Sequence, residues 1–456
     1  MTHVPSTIVW GFILNSSRII ESLEKNGRIR VACWLGQKEI TSLHMHPEKC
    51  LSAGSGICDR QVFESMLPHF PIFQRLYLRH ARQKTQIGTP SLHDLQDRFR
   101  FYCDYLFDLL KRTECELILF SNIPHEGADF VLYELAKLLG IKTLMTFQLP
   151  FPNRHLILES ANELGDYSQY PQLREPERIS IPREFKKYHF YMKSWHSHEK
   201  RVLGIIPEIY LKPAHQQHIA QLIYQRYIKS PVTTFYNSSH NARFRKRVRK
   251  CSVVPNLSEP FVYFPLHLQP ELTTDAIGGK YADQALAIEE LHAMLPQGWK
   301  IYVKENPKQR AFARGPFFFD RIRRIPGAQI VPLETDTYEL IKHSQFVSSI
   351  TGTAGWEAIT GGKPVLVFGK AWYRKLPGVF EFPTSMSAEQ IAATEIDHSH
   401  LEESVADMLS RSCIGVTDPH YSLIVDNYDE DTNASLVAST LGDRIAMQFA
   451  SPVVSC

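Results

Sequence analysis

The sequence predicts an α/β chain made of two doubly wound, Rossmann-like domains. Three observations carry this. Short apolar runs of strand length alternate with helix-periodic segments in both halves of the chain. A strand–turn–helix–strand unit is written out between Phe346 and Phe368. At 456 residues there is room for two separate cores.

In order, Ser6–Leu14 reads as a strand, Ser16–Lys25 as a helix and Arg28–Trp34 as a second strand. Residues 60–112 read as mainly helical, through Leu67, Phe70, Phe73, Leu76 and later Phe99, Tyr102, Leu106 and Leu109. Glu116–Phe120 is a buried strand, Ala128–Leu139 a helix stopped by Gly140, and Lys142–Phe147 another strand. Between 150 and 255 prolines, aromatics and basic residues break the pattern, as in acceptor-side loops and a connection between domains. Strands then return at 261–266, 301–304, 329–332, 346–350 and 364–368, with helices near 280–294, 316–324, 336–343 and 355–360. Further helical patterns fall at 388–394, 399–411 and 431–448. The expected domains are 1–255 and 256–420, followed by a helical segment 421–456. Such alternation implies a mostly parallel sheet whose ligands sit at the carboxyl ends of its strands.

Composition excludes several classes. The 51 basic and 48 acidic residues leave a net charge of +3, too little for the global field of a nucleic-acid binder. No apolar run reaches the roughly 18–20 residues of a membrane span. The N-terminus lacks a basic stretch followed by an unbroken apolar one, so no secretory signal is expected. The eight cysteines are scattered, without a Cys-x-x-Cys pair, which fits reduced thiols in a cytoplasmic enzyme.

Four successive strands of the second half end in polar or glycine-rich segments. They are His267-Leu-Gln269-Pro-Glu271, Lys304-Glu-Asn306-Pro, Glu334-Thr-Asp336-Thr and Thr351-Gly352-Thr353-Ala-Gly355. Gly352 and Gly355 let backbone approach a ligand, and the helix that follows aims unpaired N–H groups and its positive dipole end at the same spot. Glu357, early in that helix, could accept hydrogen bonds from sugar hydroxyls. Each residue also has a plainer reading: His267 as a core histidine, Lys304 as a solvated strand end, Asp336 as a helix cap. In the first half, His125, Glu126 and Asp129 follow the 116–120 strand within five residues. They could supply a general base or a nucleophile, or Asp129 could cap the helix while Glu126 favours its dipole.

The segments Val262–Glu271, Tyr302–Pro307 and Thr351–Ala358 with Gly362-Lys363-Pro364 resemble the capsule polysaccharide biosynthesis proteins. These are GT-B-type bacterial surface-glycan glycosyltransferases related to the Kdo transferases of capsule and O-antigen assembly. The resemblance is strongest over about 260–380, and Pro124–Asp129 adds a weaker match. It implies a GT-B-like fold, two Rossmann-like domains facing a cleft, with the donor held by the C-terminal one and no metal or other cofactor. Gly352, Thr353 and Gly355 would then hold the donor phosphate, Glu357 the ribose, and Lys304 and Lys363 the phosphate charge. His267, Gln269 and Glu271 would lie along the cleft, and His125, Glu126 and Asp129 would act from the acceptor side. Asn306 stands where capsule-type relatives often carry the histidine of a Lys-x-His-Pro motif; asparagine can still hydrogen-bond there. The implied co-substrate is a nucleotide sugar, CMP-Kdo, and the implied acceptor a glycan or lipid-linked glycan in capsule or lipopolysaccharide assembly. The Asp429-Glu430-Asp431 match to a metal-binding Asp-x-Asp reads instead as a helix start.

Two features stand outside that scheme. Arg243-Phe-Arg-Lys-Arg-Val-Arg-Lys250 packs six cations into eight residues and could contact anionic lipid at the inner membrane, or be a solvated linker; nucleic acid is not expected. Tyr188, Phe190, Tyr191 and Trp195 could stack on acceptor sugars or fill a core. The alternatives to glycosyl transfer are a nucleotide-sugar 2-epimerase, a glycerophosphate transferase, or a non-catalytic glycan-assembly protein on the same scaffold.

Overall fold

The computed structural model describes residues 3–13, 16–36, 39, 56–83, 92–185, 201–202, 206–207, 231–311 and 313–450. Tyr188, Phe190, Tyr191 and Trp195 fall outside the described residues. The chain divides into two compact units, each built on a six-stranded sheet.

The first unit contains β1 (Ser6–Trp10), α1 (Ser17–Lys25), β2 (Arg30–Leu35), α2 (Arg60–Met66), α3 (Phe70–Gln83), α4 (Leu92–Arg112), β3 (Leu117–Phe120), α5 (Ala128–Leu138), β4 (Lys142–Gln148) and β5 (Arg154–Leu158). β1 and β3 are buried along their whole length, which is why they read as unbroken apolar runs. The strands β2, β1, β3 and β4 lie side by side and parallel, so strand order reverses between β1 and β3. β5 then pairs antiparallel with β4.

The second unit contains α6 (Pro231–Cys251), β6 (Phe261–Pro265), α8 (Gln284–Met294), β7 (Lys300–Lys304), α9 (Pro316–Arg323), β8 (Ala328–Val331), α10 (Thr337–His343), β9 (Val347–Ser349), α11 (Thr353–Thr360), β10 (Val365–Val367), β11 (Val379–Glu381) and α12 (Ala388–Ala392). Between β6 and α8, α7 (Leu272–Ile277) groups with the first unit. All six strands are parallel and run in the spatial order β8-β7-β6-β9-β10-β11. Numbered within the unit this is 3-2-1-4-5-6, the doubly wound order with its switch point between β6 and β9. Val262, Phe264, Ile301, Val303, Ile330 and Leu366 form the middle of its core.

The helix starts follow from side-chain caps. Asp283 accepts from Leu286 N, Asp336 from Tyr338 N and Glu339 N, and Ser387 forms a reciprocal capping box with Gln390.

The division departs from the sequence expectation of 1–255, 256–420 and 421–456. Residues 178–269 group with the second unit, and the chain returns to the first from Ala406 onward. The return is made by α13 (His398–Arg411), β12 (Cys413–Ile414) and α14 (Glu430–Phe449). β12 pairs antiparallel with β5 as the sixth strand of the first sheet, with Cys413 opposite His155. α14 packs on α1, with Arg18 bonded to Asp431 at 2.5 Å and Arg28 to Asp443 at 3.2 Å. The 421–456 segment is therefore part of the first unit's core, where Val437, Leu441 and Ile445 are buried. Asp429 caps α14 through Thr432 N at 2.8 Å, as expected of a helix start.

Candidate functional site

Four of the expected donor-site residues, His267, Gly352, Thr353 and Gly355, meet at the switch point of the second unit. β6 runs out through Pro265 to His267, and β9 through Ser349 to the Thr351–Gly355 turn. Thr351 N donates to His267 Nε2 at 3.3 Å, and Gly352 N donates to Ser349 Oγ at 3.2 Å. Ser349 Oγ lies 3.1 Å from His267 Nε2, the same nitrogen that accepts from Thr351 N. The imidazole is therefore the Nδ1–H tautomer with Nε2 as acceptor. Burial, and then the neighbouring Arg314 charge, push its pKa down to about 4, so it stays neutral. His267 is thus a lock on the turn, the core-histidine reading combined with a place in the site.

Gly352 is glycine for lack of space, since its φ of −77° is open to any residue. A Cβ there would lie 2.4 Å from His267 Nε2, and one on Gly355 would lie 2.2 Å from the Tyr373 hydroxyl. Tyr373 in turn donates to Gly352 O at 2.5 Å. Histidine and tyrosine pack on either side of the turn, and Gly352 caps α11 without a side-chain bond. Thr353 N and Ala354 N have no partner among the described residues. Thr353 is exposed. Two free donors and a dipole end thus face outward where strand order reverses, a ready anion site. Gly352→Ala should lower stability by about 1–3 kcal/mol through overpacking. Thermal unfolding of the variant beside the parent checks this.

Glu357 lies one turn into α11, is 5% exposed, and has its pKa pushed up to about 7 by burial. Its charge reaches the rings of Tyr263, Tyr338 and Tyr373.

The other expected donor residues do structural work. Gln269 Nε2 donates to Ala282 O at 2.7 Å, and its Oε1 accepts from Gln284 at 2.8 Å. Asn306 Oδ1 holds Lys308 N at 2.9 Å and closes its own turn. Lys304 Nζ donates to Thr335 O at 2.6 Å and to Thr337 Oγ1 at 2.8 Å, bracing the start of α10, and burial lowers its pKa. Glu271, whose N donates to Asp275 Oδ2 at 2.7 Å, belongs to the 270–277 segment of the first unit.

Lys363 requires a correction. It precedes β10, and its Nζ donates to Ser344 O just ahead of β9 at 2.7 Å. In a parallel sheet those are amino ends, opposite the Thr351–Gly355 turn. Lys363 ties two strand starts together and does not neutralise a phosphate held by the turn.

In the first unit, the 122–129 loop sits at the carboxyl end of β3, beside the switch point between β1 and β3. Asp129 is 2% exposed and accepts from His125 N at 2.6 Å and from Glu126 N and Phe130 N at 2.7 Å. These are the bonds of a loop cap, the plainer of its two readings. His125 Nδ1 lies 2.6 Å from Ile123 O. A carbonyl only accepts, so Nδ1 carries a hydrogen. His125 and Glu126 are half-buried. Gly11, at φ +79°, comes so close to Ser121, just ahead of the loop, that a Cβ would lie 2.1 Å from Ser121 Oγ.

With the geometry in place, comparison with known proteins adds the family. Residues 215–398 match the model of the capsule polysaccharide biosynthesis protein family. The match is to this segment of the chain, which is similar to that family. It contains the whole β6/β9 switch point. No curated protein matches the chain. Among solved structures, the KpsC β-Kdo 2,7 transferase of Thermosulfurimonas dismutans is 10% identical, covers 82% of this chain and 97% of its own, and has a TM-score of 0.32. UDP-GlcNAc 2-epimerase from Methanocaldococcus jannaschii is 11% identical over 97% of this chain and 99% of its own, at a TM-score of 0.23. A glycosyltransferase from Rickettsia africae is 11% identical over 98% and 99%, at 0.25.

Several residues of the capsule-family segment escaped sequence reasoning. Tyr373 follows β10, the strand after the last one read for a polar end, and Trp372 beside it packs on Trp356 of α11 at 4.9 Å. Arg314 forms a buried ion pair with Glu305 and donates to the carbonyl of His267. Arg314 stands in no strand end and gave no signal. Among the described residues, no group of three His, Cys, Asp or Glu could hold a metal ion.

Proposed function

We propose that this chain is a glycosyltransferase of capsule polysaccharide assembly, holding a nucleotide-sugar donor at the switch point of its second unit. CMP-Kdo is the donor and a glycan or lipid-linked glycan the acceptor. The observation that carries the proposal is the locked Thr351–Gly355 turn, with two free backbone donors at the start of α11. Those donors receive the phosphate, and the dipole of α11 favours its charge both in the bound donor and on the departing nucleotide. Glu357, beneath the turn, meets the ribose hydroxyls.

On the acceptor side, His125 acts as the general base that takes a proton from the acceptor hydroxyl. The oxygen then bonds to the anomeric carbon, the bond from that carbon to the phosphate oxygen breaks, and CMP leaves with the electron pair. Asp129 serves by holding the His125 loop through its three backbone bonds.

A thermal-unfolding screen against CMP, CDP, UDP and GDP tests the donor. CMP alone should stabilise the protein, by about 2.7 kcal/mol at a hundredfold excess over its Kd. A preference for UDP or GDP would remove CMP-Kdo, and stabilisation by none of the four would remove the donor site. Incubation with the nucleotide sugar but no acceptor should leave the sugar unchanged, whereas an altered free sugar would identify an epimerase.

A further inference from the structure

The basic run lies on a regular helix, and its surroundings determine what that helix faces. α6 is anchored through Phe244 and Val248, both buried in the second unit's core, with Phe244 5.7 Å from Phe319 of α9. Arg243, Arg245, Lys246, Arg247, Arg249 and Lys250 are all exposed. Arg249 pairs loosely with the exposed Glu334 at 3.4 Å. The other five have no acidic partner among the described residues.

At about 100° per residue, Phe235 falls opposite the Phe244–Val248 seam, between Arg249 and Lys246. It is 78% exposed, and Tyr236, near Arg243 and Arg247 on the same wheel, is 56% exposed. Along the axis Phe235 precedes Arg243 by eight residues, about 12 Å at 1.5 Å per residue, so an exposed apolar ring lies on the cationic side of the helix ahead of the basic cluster. The six cations also exceed the whole chain's net charge of +3, so the remainder is net acidic. The net positive charge of the chain is thus carried by this helix.

We propose that the outward face of α6 docks the protein on an anionic lipid bilayer. The cations spread over more than half of the helix circumference, too wide for one row of phosphates to meet. A helix lying at headgroup level meets phosphates on both flanks, because long Lys and Arg stems reach sideways, while Phe235 enters the acyl boundary. The proposal does not depend on which donor the second unit binds.

The test is sedimentation of the full chain with vesicles of phosphatidylcholine alone or mixed with phosphatidylglycerol. Binding is expected only to the anionic vesicles and should be lost at high salt. The triple variant Arg245→Gln, Lys246→Gln, Lys250→Gln should lose roughly a hundredfold in affinity. Phe235→Ala should lose several-fold with the salt dependence unchanged. All four positions are exposed, so thermal unfolding and the CMP shift of both variants should match the parent, which separates this test from that of the donor site. No sedimentation with anionic vesicles, equal sedimentation with neutral ones, or parental affinity in the triple variant would overturn the proposal. So would tighter binding to a single-stranded oligonucleotide than to vesicles.

Discussion

Arg314→Met is expected to cost about 4 kcal/mol of folding stability, read from urea denaturation at neutral pH. The Arg314 and Glu305 side chains are 1% and 0% exposed, so neither charge is shared with water. Glu305 Oε1 accepts from Arg314 and from Asn306 N at 2.7 Å. Burial already pushes the Glu305 pKa upward, and the Arg314 charge is the main force against that. Without the guanidinium, Glu305 must either stay charged and unpaired or take up a proton. The penalty applies only where the unfolded carboxyl is ionised. The deficit of the variant should therefore shrink as pH falls toward about 4, the ordinary glutamate value.

Two controls separate charge from packing. Glu305→Leu added to Arg314→Met should recover most of the loss, since a buried ion pair replaced by apolar groups is often neutral. A single-variant loss below about 1 kcal/mol would show that Glu305 is hydrated in solution. The same variant reaches function, because Arg314 also donates to the carbonyl of His267 and, at 3.3 Å, to Gln269 Oε1. With that support removed the turn lock loosens, and if the turn holds the donor phosphate as proposed, nucleotide affinity should fall along with stability.

How much of this was legible beforehand depended on the range of the interaction. β1, β3, β6 and β7 were visible because each is buried along nearly its whole length and reads as an apolar run. β12 was not visible: two residues have no period, and its partner β5 lies more than 250 positions earlier. The same pairing moved the C-terminal segment into the first unit. The site was legible at the level of the backbone, because glycine spacing and a following helix are local facts. Side-chain roles were less so. Lys304 stood at a strand end as expected, yet Thr335 and Thr337 accept its hydrogen bonds, and those partners follow the neighbouring strand. Lys363 could have been excluded from sequence alone. It precedes its strand, and the rule that places ligands at carboxyl ends puts it at the other edge of the sheet.

Glu357→Gln should stabilise the second unit by about 3 kcal/mol at pH 8 and leave it unchanged near pH 4. In the folded chain burial lifts the Glu357 pKa to about 7, and no other cause contributes. The rise from the ordinary glutamate range is worth about 3 kcal/mol. The sign follows from proton binding. Between roughly pH 4.5 and 7 the folded state holds a proton that the unfolded state has released, so stability falls as pH rises through that window. Above it both states are ionised, and the folded chain carries the full cost of a buried charge. Glutamine is neutral throughout and escapes that cost, so its advantage should appear over the same window and level off beyond it. A flat difference between the two proteins from pH 4 to 8 would mean that the carboxyl is solvated. Sites that keep a destabilising carboxyl commonly do so for a ligand. If Glu357 accepts the ribose hydroxyls, the stabler variant should bind CMP about tenfold more weakly, the loss of one charged hydrogen bond. Unchanged CMP affinity in a stabilised Glu357→Gln protein would leave the phosphate turn in place and remove the ribose from this residue.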